Sequence, residues 1–315
     1  MKRQKATVQP APPDKTVTLL DTSILLNAFV MQNGRIPMLG DEIPPWKYRG
    51  WMLYQIQVGH FHPDVCNRWG YYLRTLQAGK LLDEPIPRIE FDMQHPKRGE
   101  AQSMLRKALD IMFQDAGSWS AFPALIDWLA WAVGLKVDEP RVSEKTNEAL
   151  YRHFNFGPML LAPYDYLGAL YSEGKTNSWN VNAFYPTPHN LIEMMVRMQM
   201  YDGFNLPGGR DPRTATVCDP CVGSGRMLLH ASNYSFCLYG MDIDRTCVNI
   251  TKINGVLYAP WLTFPFPAEL LGIEETPAIA EGNALTAGIE PPKVETPVFT
   301  TAEPRFTKRG QGLLF

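Results

Sequence analysis

Apolar positions along the chain change rhythm near residue 214. Before it, apolar and aromatic residues recur at helical spacing in PDVCNRWGYYLRTLQAGKLL (63–82), EAQSMLRKALDIMFQDAG (100–117) and SAFPALIDWLAWAVGL (120–135). Each predicts an amphipathic helix. SEKTNEALYRHF opens on Ser143, a residue type that favours helix starts. PYDYLGALYSEG predicts a further helix ending at Gly174. Residues 50–175 thus read as all-helical, after an irregular, Pro-rich stretch over 16–50. SWNVNAFYPTP reads as a loop, HNLIEMMVRMQMY as an amphipathic helix and NLPGGRDPR as a turn-rich connector.

From residue 214 the runs shorten and alternate. TATVCDP predicts a strand, SGRMLLHASN a helix, FCLYGMDID a second strand and RTCVNITKINGVLYA a second helix. Strand, glycine turn, helix, strand, helix is a βαβα unit, which implies a parallel sheet. The expected fold class is α/β, a truncated Rossmann-like unit with strand order 3-2-1, preceded by an all-helical domain. The expected division is a basic tail over 1–15, a mainly helical domain over 16–175, a Rossmann-like domain over 176–290 and a flexible tail over 291–315.

Composition changes this picture little. A length of 315 residues suits two domains, and 45% apolar residues can support a core. A net charge of −2 gives no global sign of nucleic acid, although both ends are basic. Five cysteines are too few, and odd in number, for a secreted disulfide framework. No apolar stretch approaches the roughly 18 residues of a membrane span, and the start lacks a signal-like apolar region. A cytoplasmic protein is expected, with no membrane partner.

The chemistry concentrates in TATVCDPCVGSGRMLL. Two readings compete. Cys218, Cys221, Cys237 and Cys247 could hold zinc, but their spacing matches no paired knuckle, and Cys218 lies within an apolar strand. Alternatively, Gly223-Ser224-Gly225 lets the backbone approach a ligand where a helix N-terminus offers free N–H groups. About twenty residues on, a second strand ends in Met241-Asp242, where an acid can hold ribose hydroxyls. This second arrangement suits a nucleoside-bearing ligand. His60, His62, Asp64 and Cys66 form another tempting cluster, with a loop entering a helix as its plainer explanation. No metal is expected.

NAFYPTPHNLIEMMV, VCDPCVGSGRMLLHA, LYGMDID and AEGNAL, in that order, resemble the S-adenosylmethionine-binding half of N6-adenine DNA methyltransferases. In particular they are similar to the modification subunits of type I restriction systems. Asp165, Leu167, Gly168 and Tyr171 resemble that family's D-x-L-G-x-x-Y-E lead-in. The resemblance implies that Phe184, Thr187 and Pro188 close over the methionine end of the cofactor, in an F-Y-P-T-P variant with one extra proline. It implies that Asp219, Pro220, Gly223, Ser224 and Gly225 form the loop under the amino acid moiety. Asp242 would bond the ribose, Ile243 would pack on the adenine, and Asn283 would stand where the family usually has Asp, bonding the adenine amino group. Asn still offers an acceptor there.

The family's catalytic N/D-P-P-Y/F loop, which holds the flipped target base, is not evident. After GNAL thirty residues remain, and Glu290-Pro291-Pro292-Lys293 is the nearest approximation, without the aromatic residue. Glu290, Pro291 and Pro292 are weak catalytic candidates. Ile43-Pro44-Pro45-Trp46 would fit a permuted order but lacks the Asn or Asp. The chain ends Gln311-Gly312-Leu313-Leu314-Phe315, in which Gln311, Leu313, Leu314 and Phe315 resemble the bacterial sliding-clamp-binding peptide. Two expectations follow. One is an adenine-N6 DNA methyltransferase-family protein, bacterial or phage- or plasmid-encoded, with DNA as partner and its catalytic loop unrecognised or supplied by a partner subunit. The other is an inactive, methyltransferase-derived adaptor tethered to the sliding clamp.

Overall fold

The computed structural model describes residues 29–30, 32–36, 41–117, 119–173, 184–200 and 211–284, and the backbone of 313–314. Each helical pattern forms a helix, and before residue 214 a side-chain cap marks the start of two of them. A first helix, α1 (Leu53–Gly59), buries Leu53, Ile56 and Gln57. α2 (Arg68–Ala78) begins at Arg68 rather than at residue 63, because the Asn67 side chain accepts a hydrogen bond from the Gly70 N–H. It ends at Gly79, whose φ of 61° is the left-handed conformation that glycine adopts without penalty. α3 (Lys97–Ala116) and α4 (Ala121–Ala132) pack together. α5 (Glu144–His153) is capped by Ser143, as the sequence predicts. α6 (Gly157–Leu161), α7 (Tyr166–Glu173) and α8 (His189–Met200) complete this part.

The alternating part forms the expected βαβα unit. β1 (Thr216–Asp219), α9 (Arg226–Ala231), β2 (Cys237–Asp242) and α10 (Arg245–Tyr258) follow in order. Two short helices, α11 (Pro260–Thr263) and α12 (Ala268–Leu271), lead to β3 (Ile279–Glu281). The order β3-β2-β1 is the expected one, and β4 (Leu313–Leu314) adds a fourth position beside β1. All pairings are parallel, with Val217 opposite Leu238, Gly240 opposite Ile279 and Val217 opposite Leu313. Of the terminal peptide, Gln311, Gly312 and Phe315 lie outside the described residues. So do Glu290, Pro291, Pro292 and Lys293.

One apolar cluster runs through both parts, from Trp51, Trp69 and Trp128 to Phe236, Leu257 and Trp261. Polar anchors cross the same boundary. The Trp69 indole N–H donates to the Val256 carbonyl at 2.8 Å. Arg68, fully buried, donates to the Ser232 carbonyl and hydroxyl and to the Tyr258 carbonyl, with its guanidinium 4.3 Å above the Trp261 ring. Burial lowers its pKa to about 9, so it stays cationic at neutral pH.

His60 belongs to this boundary, not to a metal cluster. Its two ring nitrogens lie 2.9 Å from the Cys66 carbonyl and 2.8 Å from the Leu257 carbonyl. Burial pushes its pKa down to about 4 against the pull of those carbonyls. Pro45–Lys47 forms a short 3-10 turn, and the Trp46 ring packs 5.1 Å from Tyr151 of α5. That tryptophan is thus engaged in helical packing.

Candidate functional site

The segment from β1 to α9 is held from several sides. Gly223 and Gly225 have φ of 55° and 79°. A Cβ at Gly223 would lie 2.7 Å from the Phe184 ring, and one at Gly225 2.7 Å from Thr251. Only glycine meets both the backbone and the space requirements. The Gly223 N–H donates to Asp242 Oδ2 at 2.8 Å, and Thr251 Oγ1 donates to the Gly223 carbonyl at 2.8 Å. The ends of β1 and β2 and the middle of α10 therefore fix one turn of backbone.

Beneath the loop lies a buried polar network. Asp165, with no exposed surface, accepts from the Gly168 N–H and Asn254 Nδ2 on Oδ1, and from Ser224 Oγ and Arg226 Nε on Oδ2. Arg226 Nη2 is 3.0 Å from the same Oδ2, and Arg226 Nη1 donates to the Thr187 carbonyl at 2.9 Å. A Cβ at Gly168 would sit 2.2 Å from the Asp165 carboxylate and 2.4 Å from Ser224 Oγ. The glycine of the lead-in is thus what allows α7 to meet the loop.

Two carboxylates face this turn, and they differ. Asp242 accepts from the Gly223 N–H on Oδ2 and the Asp244 N–H on Oδ1, and each oxygen keeps a second lone pair. Asp219 is 4% exposed and accepts from the Cys221 N–H at 3.2 Å. Burial raises its pKa to about 6; the Cys221 N–H opposes the rise and the nearby Asp242 charge adds to it. A buried carboxylate with so little compensation is costly unless a cation joins it. Ile243 follows Asp242 with 68% of its surface exposed, an apolar platform at the end of β2.

Of the residues expected here, Phe184, Gly223, Ser224, Gly225 and Asp242 meet directly. Thr187 joins through Arg226. The Pro188 carbonyl accepts from the Leu191 and Ile192 N–H groups and so opens α8. The Gly282 N–H donates to the Asp242 carbonyl, which puts the exposed Asn283 just beyond the neighbouring strand ends. Pro220, half-buried, starts the turn. The Phe184 ring also stacks on Tyr171, 5.4 Å away, and the Tyr171 hydroxyl donates to Asp244 Oδ2. Burial, reinforced by Asp244, raises the Tyr171 pKa far above that of an ordinary phenol.

The C-x-x-C is not a matched reactive pair. Cys218 is half-buried and burial raises its pKa to about 11, while Cys221 is exposed; all five thiols are free. Among the described residues no group of three or more His, Cys, Asp or Glu could hold a metal. Three of the loop's supports, Arg226, Thr251 and Asn254, are not expected from the sequence. Only Arg226 had a local signal, since it directly follows G-S-G. A second buried feature had none: His189 Nδ1 lies 2.9 Å from His230 Nε2, joining α8 to α9 under the Phe91 ring. Burial drives these rings down to about 2 and about 4.

Residues 163–259 match the model of the N-6 DNA Methylase family. That span runs from the D-x-L-G lead-in to the end of α10, so the resemblance to N6-adenine DNA methyltransferases holds over the loop and its supports. No curated protein matches the chain. Two solved structures share 12% and 14% identity with it, at TM-scores of 0.27 and 0.28. One is a cryo-electron-microscopy DrdV–DNA complex, of which the match covers 25% while covering 84% of this chain. The other is the methyltransferase subunit of a type I restriction-modification system from Streptococcus thermophilus, covered to 60% against 89% of this chain. No helix among the described residues is long and apolar enough to cross a membrane.

Proposed function

We propose that this chain is an N6-adenine DNA methyltransferase-family protein whose glycine loop binds S-adenosylmethionine. Methyl transfer to adenine in DNA would follow where a catalytic loop is present in the chain or supplied by a partner subunit. The observation that carries the reading is the buried, under-compensated Asp219 beside a preformed glycine turn. A carboxylate raised to about 6 by burial is suited to a ligand that brings its own positive charge, as the amino group of this cofactor does. Asp242 has lone pairs left for ribose hydroxyls, and exposed Ile243 offers an apolar face for the adenine. Phe184, whose ring lies against Gly223, would cover the methionine end. When bound, the cofactor would supply an electrophilic methyl on a sulfonium, which an amine attacks in line without a covalent enzyme intermediate. The chain's own part is to bind, orient and cover it.

The test is calorimetry with S-adenosylmethionine, followed by transfer of labelled methyl to unmethylated DNA. Wild type should bind, and Asp242→Ala should weaken binding at least about tenfold, since it removes a charged acceptor. No binding by wild type would refute the proposal. Binding without transfer by the purified chain would point to a partner that completes the active site.

The second reading, an adaptor tethered to a sliding clamp, rests on Gln311, Leu313, Leu314 and Phe315. The backbone of Leu313 and Leu314 pairs with β1, so those residues would have to leave the sheet edge to enter a partner's pocket.

A further inference from the structure

The F-Y-P-T-P segment and the glycine loop lie about forty residues apart in sequence, yet one side chain holds both. Arg226 is the first residue of α9, directly after Gly225. One edge of its guanidinium, Nε and Nη2, faces Asp165 Oδ2 at 3.0 Å. Its other nitrogen, Nη1, donates to the Thr187 carbonyl at 2.9 Å. The fork is buried, with 8% of the side chain exposed, and Asp165 has none. Asp165 is itself fixed by Ser224, Asn254 and the Gly168 N–H. A buried carboxylate with this many donors does not shift easily. Arg226 is therefore anchored on one edge and free to restrain backbone with the other.

We propose that Arg226, buttressed by Asp165, is a positioning residue that latches the F-Y-P-T-P segment over the glycine loop. Loop and segment then meet a ligand as one preformed wall. Thr187 is the pinned point. Phe184, three residues earlier, rests on Gly223 and Tyr171 by ring contact. Pro188 hands the restraint on to α8. The restraint reduces the ordering that ligand binding would otherwise require. The latch itself stands on geometry alone; only its consequence for affinity rests on the S-adenosylmethionine reading.

Arg226→Lys separates the latch from the fold. A lysine keeps the positive charge on Asp165, but its single ammonium cannot span both partners as the planar fork does. The measurement is backbone 15N relaxation of the ligand-free full chain, read at Phe184, Tyr185 and Thr187 and, as internal reference, at Gly223 and Gly225. In wild type all five should have order parameters near the rigid limit of about 0.85. In R226K the first three should fall below about 0.6, with Gly223 and Gly225 unchanged and the melting temperature close to wild type. S-adenosylmethionine affinity should fall about tenfold, the loss expected for one charge-assisted hydrogen bond. Unchanged order at 184–187 in R226K, or a wild-type segment already mobile, would overturn the latch. If wild type binds no S-adenosylmethionine while R226K still frees the segment, the cofactor reading fails and the latch stands. Should R226K not fold, the D165N/R226Q double variant removes both charges together and is read at the same amides.

Discussion

Asp219 and the buried histidines pull stability in opposite directions over the same pH range. The carboxyl of Asp219 has its pKa raised to about 6 by burial, against about 3.9 when unfolded. Between those values the native state binds more protons, so this group's contribution to stability falls as pH rises. His60 and His230, both lowered to about 4 by burial, and His189, lowered to about 2, act the other way. Their native forms bind fewer protons, so their contribution is complete above about pH 6.5 and is lost as pH falls. The wild-type profile mixes both effects, and Asp219→Asn separates them. That variant should be more stable than wild type by about 1–3 kcal/mol at pH 7.5, with the advantage gone near pH 4. It should also bind S-adenosylmethionine more weakly, and wild-type affinity should itself decline as pH drops through 6. Paired thermal melts from pH 4 to 8 check the first part; equal pH profiles for the two proteins would contradict it. The sequence identified Asp219 by motif position, but its strain was hidden. Burial and the nearness of Asp242 are tertiary facts that no spacing encodes.

Helices and strands were readable where a local device marks them. Ser143 announces α5, because a cap acts on neighbours within one turn, whereas the stop of α2 at Gly79 was passed over and the helical pattern was read on to Leu82. β1 and β2 stood out as short β-rich runs split by the glycine turn. β3 did not, since three residues are too few to show a period, and Ala280-Glu281 was read only as part of a motif. Asn67 was also missed as the start of α2, because the apolar rhythm extends upstream of the point where the cap breaks the helix. Two glycines show how differently the same residue type serves these elements. Gly79 has φ of 61° and open space where a Cβ would stand, so Gly79→Ala should cost only the backbone strain, about 1 kcal/mol. At Gly168 a Cβ would sit 2.2 Å from the Asp165 carboxylate. Gly168→Ala must push α7 away from the loop and break buried charged hydrogen bonds, a loss of about 3 kcal/mol or more. Urea melts of the two variants give the comparison. Similar losses would mean that α7 yields easily and that its contact with the loop is not tight.

The helical part and the α/β unit were expected as two domains, since their apolar rhythms differ. Their shared core has a different consequence. Trp69, Arg68 and His60, from the first helices and the loop between them, bond carbonyls of Val256, Ser232, Tyr258 and Leu257 at the far ends of α9 and α10. These are C-terminal helix carbonyls with no partner inside their own helix, and a buried cation is a strong donor for them. Arg68 meets no carboxylate in that set, so its charge is compensated by carbonyl dipoles and the Trp261 face. Arg68→Met keeps most of the volume and removes the donors. It leaves the Ser232 and Tyr258 carbonyls short of partners, at an expected cost of about 2–4 kcal/mol. Because the core is continuous across the boundary, that loss should appear as one shifted cooperative transition. Hydrogen exchange should accelerate together in α3 and α4 on one side and in α9 and α10 on the other. If only the α/β unit loosened while α3 and α4 kept wild-type protection, the two parts would be independent folding units. The glycine loop would then depend on its own strands and on the Asp165 network alone.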